Sequence, residues 1–476
     1  MIEYHEYYAD GRWRPATGAT QLIQRNPTSE LAQSLVTVCS PADVALAVSV
    51  ARRCAPGWAQ SPLDERRRAL GALHRAIAKR ADAFVNLLAT ELGVPVWVGR
   101  TMQLPMPLAN LERIIEGLDQ ITWHEQIGNA AVAREPVGVI AAITPWNFPL
   151  HQIIAKLAGA IGAGCPTVLK PSEVAPGVAR LLLEAVAEAD LPPGLVNMVW
   201  GGADVGECLV ASPGVDLVTF TGSTAVGRRI MVTAAASLTR VLLELGGKSA
   251  SLVLEDADLD AAIPATVRRC MVNSGQTCVA QSRLLVPRKE LAAVIQRVVA
   301  ALAEWTPGDP THTETRIGPL ATPSQFGSVN QHIRQAITDG ATLIAGGAGR
   351  AAGFERGFFV TPTAFSDVTA EMALAKNEVF GPVLAVMPYD SEADGIALAN
   401  ETPYGLSGGV WSTNPARAEA AARRIRAGQV ILNGAPSNYG APFGGFGQSG
   451  FGRENGRFSI EAFLEWKSMP GLTWPA

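Results

Sequence analysis

The sequence has 476 residues, a formal net charge of -4 and a pI near 6.0; 48% of its residues are hydrophobic and 17% are charged. That length exceeds one ordinary hydrophobic core, so two or three domains are expected. No basic stretch interleaved with aromatic residues occurs, which argues against nucleic acid as a partner. The N-terminus does not resemble a signal peptide, and no apolar run reaches about 18 residues. We therefore expect a cytoplasmic protein without membrane contact.

The six cysteines and six histidines show no metal-ligand spacing. Because no two cysteines form a CxxC pair, neither a metal site nor a disulfide framework is predicted. Most such thiols occupy small buried apolar positions. Cys278, at the end of the polar stretch NSGQTC, is interpreted in the same way, as a small buried residue, unless neighbouring residues can take part in chemistry with it.

Apolar residues at helical spacing predict two helices in the first hundred residues, over 41–60 and 64–92. From residue 138, short apolar strands alternate with helices. The predicted strands are VGVIAAI, TVLK at 167–170, LVNMV at 195–199, VDLVTF at 215–220 and RVLLEL at 240–245. The predicted helices between them cover 149–163, 176–190, 203–211 and 223–236.

Strands that are apolar throughout and alternate with helices indicate a parallel sheet covered on both faces. Ligands of such sheets bind beyond the carboxyl ends of the strands. The candidate site loops therefore follow residues 143, 169, 199, 220 and 245. A second α/β alternation is predicted from 250 to 448, and the glycine-rich stretch 433–452 is predicted to be a functional loop.

Two of these loops carry side chains with two possible roles. Asn147 of TPWNFP can donate to a developing oxyanion, or it can cap a turn. Glu173 of KPSE can accept both hydroxyls of a ribose, with Lys170 as a donor, or both can be surface charges. A carboxylate at this place would repel a 2′-phosphate, so the ribose interpretation favours NAD over NADP.

Two later loops are equally ambiguous. FTGSTAVG places Ser223 and two glycines at a helix start, where free N–H groups favour phosphate, although many strand–helix turns look alike. Glu244 ends an apolar strand. Burial there would raise its pKa towards that of a general base, whereas exposure would make it an ordinary terminal glutamate.

Taken together, these stretches resemble the NAD(P)-dependent aldehyde dehydrogenase superfamily over almost the whole chain. The motifs, in the family's order, are TPWNFPL, KPSE, FTGSTAVG, LELGGKS, NSGQTC, EVFGPV and PFGGFGQSGFGRENG. The sequence departs from the family at Gly447, where lysine is common. The resemblance implies a Rossmann-type parallel-sheet cofactor domain over 1–116 and 137–246, an α/β catalytic domain over 247–448, and bridging or oligomerisation strands within 117–136 and 449–476.

The resemblance also implies roles by position. Cys278 matches the nucleophile, Glu244 the general base, and Asn147 the oxyanion site together with the Cys278 N–H. Lys156 and Glu454 match positions often given to proton relay. The implied NAD contacts are Thr144, Pro145, Trp146, Lys170, Ser172, Glu173, Gly222, Ser223, Gly227, Leu245, Glu378 and Phe380. The implied substrate contacts are Phe148, His151, Gln152, Ala155, Thr277 and Phe443.

The mechanism implied by the resemblance begins when the Cys278 thiolate attacks an aldehyde. The thiohemiacetal passes a hydride to NAD⁺, and the resulting thioester is hydrolysed with Glu244 as general base. Gly275 and its small neighbours are expected to let the chain run close beside the nicotinamide. A homodimer or homotetramer is implied, and no metal. Because Ala155 is small, we expect a roomy, mainly apolar tunnel for an aromatic or medium-chain aliphatic aldehyde.

Three alternatives remain. One is a semialdehyde dehydrogenase of the same fold, either succinic-semialdehyde-like or CoA-acylating; CoA-acylating relatives typically lack the glutamate that is Glu244 here. A non-catalytic protein on this scaffold is disfavoured by the joint presence of Cys278, Glu244 and Asn147. A cysteine hydrolase would need a histidine partner, and His151 is the only histidine near a matched loop.

Overall fold

In the computed structural model, which describes residues 1–474, short strands precede a helical segment. The strands are β1 (Ile2–Tyr4), β2 (Glu6–Ala9), β3 (Arg12–Pro15), β4 (Gln21–Arg25) and β5 (Ala32–Thr37). The helices are α1 (Pro41–Ala59), α2 (Leu63–Ala78), α3 (Ala81–Leu92), α4 (Val96–Val98), a π-helical turn (Gly99–Gln103), α5 (Pro105–Gly117) and a 3-10 turn (Leu118–Gln120).

The single helix predicted over 64–92 is wrong, because the chain breaks between α2 and α3. Lys79 and Arg80 lie at the break, and both pair with Glu188. The apolar periodicity continues across it, from Ile77 to Phe84, both fully buried. Periodicity alone could not reveal the break for that reason.

The central stretch confirms the predicted alternation of strands and helices. Its elements are β6 (His124–Ile127), β7 (Ala130–Pro136), β8 (Ile140–Ile143), α6 (Pro149–Ala163), β9 (Thr167–Lys170), α7 (Pro176–Glu188), β10 (Val196–Met198), α8 (Ala203–Val210), β11 (Leu217–Thr221), α9 (Thr224–Ala235) and β12 (Arg240–Glu244). Local signals set several of these bounds. Pro149 opens α6, and Gly164 ends it with a left-handed φ of 97°.

The C-terminal half forms a second α/β series. Its elements are β13 (Ala250–Val253), α10 (Leu259–Met271), a 3-10 turn (Val272–Gly275), β14 (Arg283–Pro287), a 3-10 turn (Arg288–Glu290), α11 (Leu291–Ala303), α12 (Pro323–Thr338), β15 (Thr342–Ala345), β16 (Thr363–Ser366), α13 (Ala373–Lys376), β17 (Val383–Tyr389), α14 (Glu392–Asn400), β18 (Ser407–Trp411), α15 (Pro415–Ala422), β19 (Gln429–Leu432), a 3-10 turn (Gly447–Ser449), β20 (Gly450–Phe451), α16 (Gly456–Glu461) and β21 (Leu464–Pro470).

An eight-stranded sheet organises the cofactor side, in the order β20-β12-β11-β8-β9-β10-β2-β3. Its five central strands, β12 to β10 in that order, run parallel, as predicted. Strands β20, β2 and β3 add antiparallel edges. Every residue of β8, β9, β10 and β11 is buried, which is typical of parallel strands covered by helices on both faces.

A seven-stranded sheet organises the other side, in the order β15-β16-β17-β14-β13-β18-β19. All its strands are parallel except β15. Two small sheets complete the architecture, β1-β5-β4 and the antiparallel β21-β7-β6. Among residues 1–474, no helix is both long and apolar enough to cross a membrane.

The bridging segment predicted over 449–476 is too long. Gly450 of β20 pairs with Glu244 in the eight-stranded sheet, and Ser459 of α16 lies against Gly159 of α6. Of the described elements in that segment, β21 is the one that joins the small antiparallel sheet, where it pairs with β7. Residues 475–476 lie outside the described part. In the same way, Gly117 still belongs to α5. The β20 pairing was hidden because its two residues form no pattern of their own.

Candidate functional site

The carboxyl ends of β8, β11 and β12 open onto a cavity of about 240 Å³. Its wall combines predicted residues from three strand-end loops, the NSGQTC stretch and the segment after α13. The residues that line it are Pro145, Trp146, Asn147, Gln152, Thr221, Gly222, Ser223, Leu245, Gly246, Cys278, Gln325, Glu378 and Phe380. The structure thus brings the predicted nucleophile, the predicted oxyanion amide and most of the predicted cofactor contacts to one place.

Five predicted cofactor contacts do not line this cavity: Thr144, Lys170, Ser172, Glu173 and Gly227. Lys170 Nζ lies 3.4 Å from Glu173 Oε2, with the lysine buried and the carboxylate exposed. Burial lowers the pKa of Lys170 while Glu173 raises it. The loop after residue 199 contributes nothing to the wall.

The start of α9 faces the cavity through Ser223. Its Oγ accepts a hydrogen bond from Val226 N at 3.4 Å, so the hydroxyl caps the helix. Gly227 does not line the cavity. A Cβ at this position would lie 2.7 Å from Leu245 Cδ2, so the glycine lets α9 pack closely on Leu245. Gly227 thus has a packing role, and its cofactor role stays a prediction.

The opposite wall is held by side chains from the catalytic side. Phe380 has a left-handed φ of 54°, and Gln325 Nε2 donates to its carbonyl at 2.7 Å. Its ring forms an edge-on pair with Trp146, with centroids 5.6 Å apart. Glu378 Oε1 accepts from Gly247 N at 3.1 Å, and burial raises the pKa of Glu378 to about 7. Gln325 was not predicted from the sequence.

These residues fit NAD. The N-terminus of α9 offers free N–H groups and a favourable dipole for a pyrophosphate, and Trp146 with Phe380 supplies an aromatic wall beside Cys278. Carboxylates at Glu173 and Glu378 suit ribose hydroxyls. Among residues 1–474, no group of three or more His, Cys, Asp or Glu could hold a metal ion.

Cys278 and Asn147 are joined through the backbone of the NSGQTC stretch. Asn147 Nδ2 donates one hydrogen bond to Gln276 O at 3.0 Å. Because a side-chain amide carries two N–H groups, the other is left for a ligand. Burial, Glu378 and Glu244 raise the pKa of Cys278 to about 12, against the effect of the Cys278 and Val279 N–H groups. The half-buried thiol of Cys278 therefore titrates above the ordinary range of a cysteine pKa.

Gly275 makes a close backbone contact within the protein, and its expected approach to the nicotinamide stays a prediction. The residue has a φ of 70°, and a Cβ there would lie 2.2 Å from the carbonyl of Gly381. The close approach that demands glycine is therefore to the backbone of the EVFGPV motif. It fixes the cysteine loop against the segment that carries Phe380.

Glu244 ends β12 with 5% of its surface exposed. Within the described part of the chain, neither carboxylate oxygen has a hydrogen-bond partner. Burial and the neighbouring Glu454 raise the pKa of Glu244 well above its ordinary value. Both carboxylates line a cavity of about 10 Å³, beside Ala155. Lys156 Nζ lies 2.5 Å from Glu454 Oε1 and is almost fully buried.

The chain matches known proteins over nearly all of its length. The sequence signature of the aldehyde dehydrogenase family matches residues 13–469. A 3-succinoylsemialdehyde-pyridine dehydrogenase of Pseudomonas sp is 44% identical over 473 residues, covering 99% of both chains. This chain belongs to the aldehyde dehydrogenase family. It is an NAD-dependent aldehyde oxidoreductase.

Two solved structures of the family agree with this fold. Aldehyde dehydrogenase C from Pseudomonas syringae, solved with NAD⁺ and octanal as a cysteine-to-alanine mutant, is 39% identical, with a TM-score of 0.97 over 99% of this chain and 97% of that one. The Mycobacterium tuberculosis aldehyde dehydrogenase solved with NAD⁺ is also 39% identical, with a TM-score of 0.96 over 99% and 100%.

The predicted substrate contacts of this aldehyde dehydrogenase are more polar than expected. Phe148 and Ala155 are buried, and the Phe443 N–H and carbonyl both pair with Glu454. His151 lies 6.3 Å from the Tyr439 ring, and burial and Lys156 lower the pKa of His151 to about 4. Among these substrate contacts, three buried side-chain atoms have no hydrogen-bond partner within residues 1–474: His151 Nδ1, Gln152 Oε1 and Thr277 Oγ1.

Sequence reasoning also missed a set of buried amides behind the cysteine loop of this aldehyde dehydrogenase. Gln103, Asn273 and Gln276 are each at most 4% exposed and hydrogen-bond to one another or to Asn147. Gln103 lies 44 residues from Asn147 and 170 from Asn273 in the chain, so no periodicity or local spacing signals its contacts. Only the polarity of Gln103 within an apolar helical segment hinted at a buried partner.

Proposed function

We propose that this protein oxidises an aromatic or medium-chain aliphatic aldehyde to the carboxylic acid, with Cys278 as nucleophile and Glu244 as general base. One observation carries the proposal. Cys278 and Asn147 line the same cavity as residues suited to NAD, at the carboxyl edge of the parallel sheet. This supports the proposal, because a thiol, an amide donor and a surface suited to NAD share one cavity.

The protein's own groups perform the chemical steps in order. The Cys278 thiol gives its proton to water, and the thiolate sulfur bonds to the aldehyde carbon while the C=O π electrons move to the oxygen, which the free Asn147 N–H stabilises. NAD⁺ held in this cavity would supply the acceptor for the hydride of the aldehyde C–H. Glu244 then takes a proton from a water molecule, which attacks the acyl carbon and displaces the Cys278 thiolate. The raised pKa of Glu244 makes its carboxylate a stronger base towards water.

The relatives support the substrate class. Octanal, in the complex of the Pseudomonas syringae enzyme, is a medium-chain aliphatic aldehyde. The 44% identical relative is named for a semialdehyde that bears a pyridine ring. That name also favours a second candidate function, a semialdehyde dehydrogenase. An outer cavity of about 700 Å³, lined by Arg113, Arg457 and Tyr439, could receive a polar distal group, although Arg113 is already paired with Glu116 at 2.6 Å.

A panel of aldehydes tests the substrate proposal. NADH formation from octanal, benzaldehyde, 4-oxo-4-phenylbutanal and succinic semialdehyde is measured at equal concentrations, with the product identified by mass spectrometry. We expect kcat/KM for octanal and benzaldehyde to exceed that for succinic semialdehyde at least tenfold, with free acid as product. A clear preference for succinic semialdehyde, or release of acyl-CoA when CoA is added, would overturn it.

The nucleophile is tested by Cys278→Ala. We expect NADH formation to fall by a factor of about 1000 or more, because the amide and cofactor surface alone cannot form the thiohemiacetal. Cys208→Ala serves as the matched control, since Cys208 lies on α8 away from the cavity. Full NADH production by Cys278→Ala would contradict the assignment.

We also propose that the protein works as a homodimer or homotetramer. Helix α9 and the turn after it expose several apolar side chains, among them Met231 at 43%, Val232 at 77% and Leu238 at 91%. An exposed apolar patch of this kind is typical of a protein interface. On the far side, Trp466 of the edge strand β21 is 60% exposed, and an unpaired strand edge invites a partner strand. A second copy of the chain would cover the apolar surface of α9 and pair with the edge of β21.

A further inference from the structure

Gln103 occupies an unusual place in the helical segment before α5. It is the last residue of the π-helical turn Gly99–Gln103, in which Leu104 N donates to Gly99 O at 3.0 Å. The π-helical turn inserts one residue and rotates the helix after it, a distortion often found near functional sites. The Gln103 side chain is 2% exposed and faces the interior of the protein.

Both N–H groups of the Gln103 amide are used, and both reach the candidate site. Nε2 donates to the backbone carbonyl of Asn147 at 3.0 Å and to Asn273 Oδ1 at 3.1 Å. Asn273 Nδ2 donates to the same Asn147 carbonyl at 3.0 Å and to Gln276 O at 3.2 Å. Asn147 Nδ2 donates to Gln276 O at 3.0 Å. Gln103 is thereby the outer support of a closed amide network that joins the predicted oxyanion residue to the cysteine loop.

The cysteine loop needs such support. Asn273 and Ser274 both have φ of 57°, a left-handed conformation that costs a non-glycine residue free energy. Such a conformation persists only where its surroundings hold it. Without Gln103, Asn273 Oδ1 would lose its donor inside the protein, and the Asn147 carbonyl would keep only one. A buried amide without its partner favours rearrangement.

We infer that Gln103 is a positioning residue that fixes Asn147 and the loop of Cys278 in register with each other. The inference rests on the proposed function, in which these two residues share one reacting carbonyl. The Gln103 amide does not line the cavity, because it is directed at the Asn147 backbone and the Asn273 side chain. Its effect should fall on catalysis more than on binding.

The test compares Gln103→Met, which keeps the volume and removes both hydrogen bonds, with Thr101→Val. Thr101 lies in the same π-helical turn, and its hydroxyl donates to Trp97 O at 2.8 Å outside the network. We expect kcat of Gln103→Met to fall at least tenfold, with KM for NAD⁺ within threefold and the unfolding midpoint close to that of the wild type. Thr101→Val should keep wild-type kcat.

Hydrogen–deuterium exchange provides a second readout that needs no turnover. Amides of residues 272–280 should exchange at least tenfold faster in Gln103→Met, whereas those of strand β7 in the small antiparallel sheet should not change. Unchanged exchange at 272–280, or a loss of kcat that only tracks the folded fraction, would overturn the positioning role. A wild type inactive towards every aldehyde, together with faster exchange in Gln103→Met, would refute the proposed function and leave the positioning role standing.

Discussion

At the scale of single residues, the site contains two neighbouring carboxylates, of which one forms an ion pair and the other has no hydrogen-bond partner within residues 1–474. Glu454 is paired with Lys156 at 2.5 Å, whereas both oxygens of Glu244 lack a partner within residues 1–474. A buried charge without a partner lowers the stability of the folded protein, and removing one member of a buried ion pair lowers it as well. The protein therefore keeps Glu244 at a cost in stability, as expected of a group retained for proton transfer.

Replacing the two carboxylates should change stability in opposite directions. Burial and Glu454 raise the folded-state pKa of Glu244, so its contribution to stability is complete below its unfolded pKa and is lost as the pH rises. Glu244→Gln should therefore unfold at a higher temperature than the wild type, and more so at pH 8 than at pH 5. Glu454→Gln should lose roughly 3 kcal/mol, because it leaves Lys156 buried and unpaired.

Differential scanning calorimetry of the two variants at both pH values measures these differences. The paired design controls for the loss of a carboxylate as such, because the two residues lie around the same small cavity. Destabilisation by Glu244→Gln that is independent of pH would show that the side chain has partners in solution that hold its charge.

The thiol of Cys278 should respond to pH in a predictable way. Burial, Glu378 and Glu244 raise the pKa of Cys278 to about 12. A thiol titrating so far above the working range gains about tenfold more thiolate for each pH unit. Alkylation by iodoacetamide in the absence of NAD⁺ should rise from pH 7 to 10 without a plateau. Glu378→Gln should react faster throughout, and a wild-type plateau below pH 9 would contradict the raised pKa of the thiol.

The sequence predicted the site residues that follow recognisable elements, but it did not predict the buried amides that hydrogen-bond to them. Asn147, Ser223 and Cys278 come directly after recognisable elements, so topology alone brings them to one sheet edge. Gln103 and Gln276 are amides whose partners lie on other elements, and such pairings are set only when the elements pack. His151 and Thr277 were predicted as substrate contacts, but only the packed structure shows that His151 Nδ1 and Thr277 Oγ1 are buried without a partner among residues 1–474.

At the scale of elements, the cysteine loop and the EVFGPV segment are held in close backbone contact. Gly275→Ala would place its Cβ 2.2 Å from the Gly381 carbonyl in a left-handed conformation. We expect activity to fall about 100-fold, because the loop must shift relative to Phe380. Gly327→Ala is the control. It lies in α12 with open space around it and should stabilise the helix by about 0.5–1 kcal/mol.

Steady-state kinetics and thermal unfolding of both glycine variants check this prediction. Wild-type kcat in Gly275→Ala would show that the loop does not depend on the contact.

The ends of helices and strands were predictable only where the local sequence marks them. Proline and glycine marked the ends of α6, whereas the break at Lys79 and Arg80 and the pairing of β20 depend on contacts that local sequence does not carry.

At the scale of the whole molecule, the two α/β series are joined at the site itself, since the cavity takes one wall from each. The order of motifs predicted this arrangement, because parallel sheets present their carboxyl ends to a common crevice. Assembly is the other property at this scale. The apolar side chains of α9 and its following turn are left uncovered by the described part of this chain.

Charged substitutions on that surface should weaken assembly. Leu238→Glu combined with Val232→Glu is expected to shift the protein to monomers in sedimentation velocity, because an interface cannot bury unpaired carboxylates without cost. Ile337→Glu, at a 48% exposed apolar position on α12, should sediment as the wild type. An unchanged sedimentation coefficient for the double variant would exclude this face as the interface.

The most direct measurement is the capture of the acyl group on Cys278. Glu244→Gln should complete hydride transfer and fail to release the acid, so the thioester accumulates. The variant is mixed with octanal and NAD⁺, quenched in acid, digested and analysed by mass spectrometry. We predict one octanoyl group on the peptide that contains Cys278, formed only when both reactants are present. NADH formation with an unmodified Cys278 peptide, or an octanoyl group on another cysteine, would contradict the proposed mechanism.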